Sequence, residues 1–271
     1  MCRVMVTQSS FLNDVKLTIG EFFNSNDAKC VFANEAQLQL KLALFLQSKS
    51  FRVELEYKIP YEIISEFATK ENTTTPISYP WQSDIYVDLI VERDGQFVLI
   101  ELKYLTASLE SSIPIFGEQK LVKELTSNMA AVNENSYSCW KDVRRIEFLT
   151  KYFNNVVGGF SVIVTNESAY IDGVKIKNAN YHEFTVSKNQ GTSRQWTIKT
   201  PDGGVQYNLN KKSDFPSFAV SKVYDINNDN WKEFFSMNKM ILPSIVTIGQ
   251  KNKSRKRQDT SKFYYTIIEI K

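Results

Sequence analysis

The chain has 271 residues, 42% hydrophobic and 13% aromatic, with 33 basic and 30 acidic side chains and a formal charge of +3. That is enough apolar material for one large domain or two small ones, and a charge balance that neither requires nor excludes nucleic acid as a partner. No apolar run reaches the roughly 18–20 residues of a membrane span, and the opening MCRVMVTQSS turns polar too early for a signal peptide.

Leu12, Val15, Ile19, Phe22 and Phe23 recur at helical spacing and predict an N-terminal amphipathic helix. In NEAQLQLKLALFLQSK, Asn34 and Gln37 suit an N-cap and its N3 partner, with Leu38, Leu42 and Phe45 or Leu46 as the inward stripe. From Phe51 the chain alternates with period two and predicts a strand ending at Pro60. Residues 65–82 are rich in Thr, Ser, Asn and Pro and read as a long loop, a length usually kept for function. VDLIVERDGQFVLIELKY then predicts a hairpin turning at Asp94-Gly95.

Residues 117–128 and 140–153 read as helices, the second carrying Val143, Ile146, Leu149 and Phe153 and ended by Gly158-Gly159. FSVIVTN from Phe160 is a short buried strand. Beyond Tyr170, residues 195–200, 219–226 and 263–270 read as strands and 231–240 as a short helix. The fold class is α/β, a mixed central sheet flanked by helices. Residues 1–170 form the core with its N-terminal helix, and 171–271 an α+β extension of it.

Absences narrow the chemistry. Cys2, Cys30 and Cys139 are odd in number and form no CxxC pair, which argues against a disulfide framework and a Cys-built metal site and points to a reducing, cytoplasmic setting. His182 is the single histidine, so His-ligated zinc and HNH-type sites are excluded within one chain, and it reads as a surface or turn residue. With no GxxxxGK[ST], no GxGxxG and no GxSxG, neither a nucleotide cofactor nor a serine nucleophile is indicated. Carboxylates and lysines remain.

Counting outward from Asp94-Gly95 sets Arg93 opposite Gln96, Ile90 opposite Leu99 and Asp88 opposite Glu101. Lys103 falls on the same face, roughly 7 Å further along. Leu89, Val91, Val98, Ile100 and Leu102 line the other face, so both faces are apolar enough to be buried. Two facing carboxylates repel, and burying them is costly without compensation. A divalent cation with hard oxygen ligands, Mg²⁺ or Mn²⁺, would compensate both. The simpler alternative is a Lys103–Glu101 salt bridge with Asp88 solvated. Glu35 lies one turn before Leu38 on the inward stripe, where a carboxylate is unusual unless paired; it could equally just support the helix N-terminus.

Glu35, Asp88 and Glu101-Leu102-Lys103, set on an αβββαβ order across residues 34–165, resemble the PD-(D/E)xK nuclease superfamily. KDVRRIEFL and FSVIVTNESAY are similar to segments of uncharacterised microbial members. One departure is that no proline precedes Asp88, which leaves Asp84, four residues earlier, as a weaker candidate for its role. The resemblance implies a restriction-endonuclease-like fold and Mg²⁺- or Mn²⁺-dependent hydrolysis of phosphodiester bonds in DNA. Asp88, Glu101 and the Leu102 carbonyl would ligate the metal, and Glu35 would contribute directly or through water. Lys103 would position and help activate the attacking water, or stabilise charge on the phosphate.

Outside that set, Gln119 is expected at the start of the next helix, near the site or simply on the surface. The run KNKSRKR supplies Lys251, Lys253, Arg255, Lys256 and Arg257, either as phosphate contacts or as a solvated turn. Of Arg144 and Arg145, one is expected to face outward. Tyr79 and Trp81 would stack on bases or plug a core edge. Two cuts on a duplex would suit a homodimer. The main rival is an inactive member of the same fold serving as a DNA-binding or assembly module; a third reading is an unrelated α/β protein whose charges form salt bridges.

Overall fold

The computed structural model describes residues 8–69, 81–127, 129, 131–173, 185–187, 218, 220, 221, 224, 226, 230–237 and 260–271. Helix α1, Gln8–Asn24, buries Phe11, Leu12, Val15, Ile19, Phe22 and Phe23, the predicted stripe with Phe11 added at its start. Helix α2, Glu35–Ser48, begins as its sequence predicts: the Asn34 side chain accepts the Gln37 N–H at 2.9 Å. Gln37 reaches back to the Ala33 N–H at 2.6 Å, so two helix-start donors are satisfied reciprocally. Leu38, Leu42 and Leu46 are buried, while Phe45 is half-buried.

Strands β1, Arg52–Ile59, β2, Ile85–Arg93, and β3, Gln96–Leu105, follow. Asp94 (φ 54°) and Gly95 (φ 76°) are both left-handed, as a two-residue turn of the favoured hairpin type requires. The pairing is the counted one, from Arg93 with Gln96 to Leu89 with Ile100. Helix α4, Val132–Tyr152, then carries the chain to β6, Val156–Thr165, which pairs parallel with β3. Strands β7, Lys232–Ser236, and β8, Lys262–Ile270, complete one six-stranded mixed sheet in the order β1-β2-β3-β6-β8-β7.

Helices α1 and α2 cover one face of this sheet and α4 the other. The central strands are therefore buried on both faces, which explains their near-continuous apolar sequence. Three smaller elements flank the layers: helix α3, Tyr61–Thr69, the hairpin β4–β5, Leu109–Ile115 with Glu118–Thr126, and helix α5, Ser168–Asp172. Among the described residues no helix is long and apolar enough to cross a membrane.

Four expectations change. Residues 118–126 are a strand, not a helix. Leu121, Val122 and Leu125 have helical spacing, but Phe116 (φ 50°) and Gly117 (φ 88°) turn the chain back onto β4, and the segment is largely exposed, so no apolar face holds a helix there. Residues 232–236 are the strand β7 because pairing on β8 outweighs local propensity. The first part of the expected loop, up to Thr69, belongs to α3. Gly158-Gly159 do not end a helix but lie inside β6. A side chain at Gly159 would collide with the Leu99 carbonyl and the Ile146 methyl, and one at Gly158 with the Ile270 carbonyl, so glycine lets β6 fit between its neighbours and α4. The strand expected at 195–200, most of the one at 219–226, Tyr79, His182 and the basic residues from Lys251 to Arg257 lie outside the described residues.

Candidate active site

The β2–β3 ladder stops at Leu89–Ile100, one step short of Asp88 and Glu101. Beyond it the two strands fork. Leu89 and Val91 bury on the α1–α2 face, whereas Val87 and Ile85 bury on the α4 face, so the side-chain alternation of β2 reverses at Asp88. Glu56, the β1 residue between the Leu55–Leu89 and Tyr57–Val87 pairs, sits at φ 49°, a left-handed conformation unusual for a strand glutamate. The distortion is thus shared by two neighbouring strands.

Side chains replace the missing backbone pairing at the fork. Asp88 Oδ2 accepts the Leu102 N–H at 2.5 Å and Glu35 Oε2 accepts the Tyr104 N–H at 2.8 Å. Gln39, one turn after Glu35 and buried, donates to the Asp88 carbonyl at 2.6 Å and to Glu56 Oε1 at 2.8 Å. Helix α2 therefore props the fork open with two polar side chains on its inward face, and the Asp88 carbonyl and the Leu102 and Tyr104 N–H groups are satisfied by side chains.

On the α4 side, Glu101 (1% exposed) and Lys103 meet Asp142 (2% exposed) and Arg145. Lys103 Nζ lies 2.7 Å from the Asp142 carboxylate and donates to the Leu102 carbonyl at 2.9 Å. Arg145 stands 3.2 Å from Asp142 and 3.9 Å from Glu101 Oε1. The lysine's ion-pair partner is Asp142, not Glu101. Glu101 Oε1 is buried and accepts no hydrogen bond, a costly state for a carboxylate oxygen.

The electrostatics follow from this crowding. Burial pushes the Asp88 carboxyl up to about 6, with Asp142 and Glu35 adding to it and Lys103 and the Leu102 N–H opposing. Burial, then Asp142 and Asp88, hold Glu101 well above the usual carboxylate range, more than Lys103 and Arg145 offset. Burial disfavours the Lys103 ammonium, but Asp142, Glu35, Glu101 and Asp88 together outweigh it and raise its pKa. Lys141, next to Asp142, is drawn down to about 8 by burial and by the Arg145 and Lys103 charges. Burial is the main cause of both the Glu101 and the Lys141 shift; the neighbouring carboxylates add to the first and the neighbouring cations to the second.

Among the described residues no three of His, Cys, Asp and Glu come together as a ready metal cage. Mg²⁺ asks for less, since one or two carboxylates with water and substrate oxygens complete its shell. Asp88 and Glu101 supply that donor set, and Glu101 Oε1, which accepts no hydrogen bond, is the acceptor a hard cation would satisfy. Glu35 is engaged by the Tyr104 N–H and the Leu102 carbonyl by Lys103, so either would have to let go, or act through water, to take part.

The remaining candidates go elsewhere. Asp84 pairs with Lys58 at 2.8 Å and accepts the Tyr61 N–H at 2.9 Å, starting α3. Gln119 lies on exposed β5 with Ser112 as its contact, rather than at a helix start. Neither arginine of the 144–145 pair faces outward: Arg144 is buried on Glu147, and Arg145 turns into the site, because α4 is covered on both flanks. Trp81 is buried and donates to the Tyr137 hydroxyl at 3.1 Å, a core plug. Asp142 and Gln39 were missed. Asp142 falls between Cys139, Val143 and Ile146 on the apolar stripe of α4, the same signal that singled out Glu35.

An open groove of about 800 Å³ lies on the α4 face of the sheet, and none of the residues of the charged cluster lines it. Leu99, two residues before Glu101, and Leu149, one turn after Arg145, line it with Tyr57, Tyr152, Lys58 and Asn155. Compared with models of known protein families, with curated proteins and with solved structures, the chain matches none.

Proposed function

We propose that this chain is a metal-dependent nuclease of the PD-(D/E)xK type, hydrolysing phosphodiester bonds in DNA on a restriction-endonuclease-like core. The observation that carries the reading is the buried oxygen of Glu101 that accepts no hydrogen bond and has only Arg145 at 3.9 Å, beside Asp88 and with Lys103 two residues on. A protein gains nothing in stability from such a group, so its retention fits a site awaiting a cation and an anionic substrate.

In this reading Asp88 and Glu101 hold Mg²⁺ or Mn²⁺, with the Leu102 carbonyl and Glu35 as further oxygens. The bound ion would polarise a phosphoryl oxygen and make water more acidic. Asp88 stays oriented by the Leu102 N–H, and Gln39 holds its backbone. Lys103, released from Leu102, would place its positive charge beside the phosphate or orient the attacking water. Asp142 keeps that lysine charged and aimed.

A second reading has its own support. Lys103 occupies the Leu102 carbonyl and Glu35 is spent on Tyr104, an arrangement also suited to a catalytically silent DNA-binding or assembly module. Incubating the protein with plasmid and single-stranded DNA in Mg²⁺, Mn²⁺ or EDTA, beside Lys103→Ala, separates the two. Cleavage only with metal, and lost in the variant, is expected. Cleavage that persists in EDTA or in Lys103→Ala would sink the mechanism, and DNA retention without cleavage would favour the silent module.

A further inference from the structure

Helix α4 carries Lys141 and Arg145 one turn apart on either side of Asp142: Arg145 contacts Asp142 and Glu101, and Lys141 is within electrostatic reach of Arg145, Asp142, Lys103 and Glu101. Like charges at this spacing destabilise a helix, and Lys103 adds a third cation to the same space. Two of the three have carboxylate partners: Lys103 is on Asp142 and Arg145 is between Asp142 and Glu101. Lys141 has no ion pair or hydrogen bond among the described residues; its half-buried ammonium stands 5.2 Å from the centre of the Trp81 ring.

Charge balance points the same way. Fully ionised, Glu35, Asp88, Glu101 and Asp142 outnumber Lys103, Lys141 and Arg145 by one. A divalent cation at Asp88 and Glu101 would turn that into a single positive charge, which one phosphodiester would neutralise. Of the three cations, Lys141 is the one whose charge no carboxylate answers by an ion pair.

We propose that Lys141 is a phosphate-binding residue of this site, held over Trp81 so that its ammonium meets the backbone of a nucleic acid strand lying along α4. The residue is absent from the Glu–Asp–Glu–Lys motif and is supplied by the facing helix. The inference rests on the phosphodiester reading of the site but not on cleavage.

The test is binding of a fluorescein-labelled DNA duplex to the full chain in EDTA, by anisotropy across a series of salt concentrations, with melting temperatures measured alongside. Lys141→Gln should weaken binding roughly tenfold, the worth of one charge-assisted contact, and reduce the salt slope by about 0.9, one phosphate's share. It should melt no lower than the parent, since it removes a like charge beside Arg145, and Lys141→Arg should restore the slope. An unchanged slope in Lys141→Gln overturns the proposal, as does weaker binding accompanied by a lower melting temperature, which would mark Lys141 as a packing residue for Trp81. A Lys141-dependent slope without cleavage in Mg²⁺ or Mn²⁺ would remove the nuclease reading and keep this one. Metal-dependent cleavage with an unmoved slope would do the reverse, and absence of DNA binding by the parent chain would remove both.

Discussion

Helix α4 buries two charge clusters about one turn apart, and they are built on opposite terms. Around Glu147 every acceptor is used: its carboxylate takes the Ser221 N–H at 2.8 Å, the Ser221 hydroxyl at 2.7 Å, the Tyr224 hydroxyl at 2.8 Å and Arg144 at 3.1 Å. Around Asp142 three cations crowd two helix-side carboxylates, and one Glu101 oxygen has no donor. The carboxylate of the first cluster is saturated, and it ties Ser221 and Tyr224 to the helix. The second is open, and its imbalance is the kind a ligand completes. Burial alone does not separate structural from functional charge; saturation of the hydrogen bonds does.

The largest effect should come from breaking the closed cluster. Glu147→Ala removes the carboxylate that answers Arg144, Ser221 and Tyr224, and should cost about 3–5 kcal/mol in urea denaturation. Glu101→Gln, in the open cluster, should be neutral or stabilising at neutral pH in EDTA, because it replaces a carboxylate that resists ionisation. Equal losses in the two variants would erase the distinction.

The next effect is one of pH. Asp88 titrates near 6 when folded, above its ordinary value near 3.8, so the folded chain holds its proton more tightly. The resulting stability is fully present below the unfolded value and is lost as pH rises through about 6. Asp88→Asn should therefore match the parent at acid pH and exceed it by roughly 2–3 kcal/mol above pH 7. Melting temperatures of both proteins from acid to neutral pH, without metal, would show parallel curves if the Asp88 environment is misjudged.

Smallest is metal linkage. A cation that binds only the folded site stabilises it by about 1.4 kcal/mol at tenfold excess over its Kd. Mg²⁺ or Mn²⁺ should raise the parent's melting temperature accordingly and leave that of Glu101→Gln where it was. An equal rise in Glu147→Gln is expected, since the closed cluster offers no cation site; a rise in Glu101→Gln would place the metal elsewhere.

Much of this was readable where the determinants are adjacent in the chain. Asp94-Gly95 set the hairpin register, and Asn34 with Gln37 set the start of α2, because a turn and a cap depend on two to four neighbouring residues. The charged positions Glu35, Asp88, Glu101 and Lys103 stood out because carboxylates on apolar faces are rare. Where local signals competed, the stronger long-range contact prevailed: Leu121 and Leu125 suggested a helix until Phe116-Gly117 turned β5 back onto β4, and residues 232–236 became a strand through β8.

By itself the sequence determined the hairpin, its register and which charges needed an explanation, since period and turn chemistry are local properties. Only the tertiary structure decided what those charges meet. It split β2 from β3 at Asp88, using Glu56 from β1 and Gln39 from α2, and it brought Asp142, Lys141 and Arg145 over from α4. These partners lie between 32 and 62 residues from Asp88 and Glu101 along the chain, and neither spacing nor periodicity encodes such a meeting; the packing of two helices on the two faces of one sheet does.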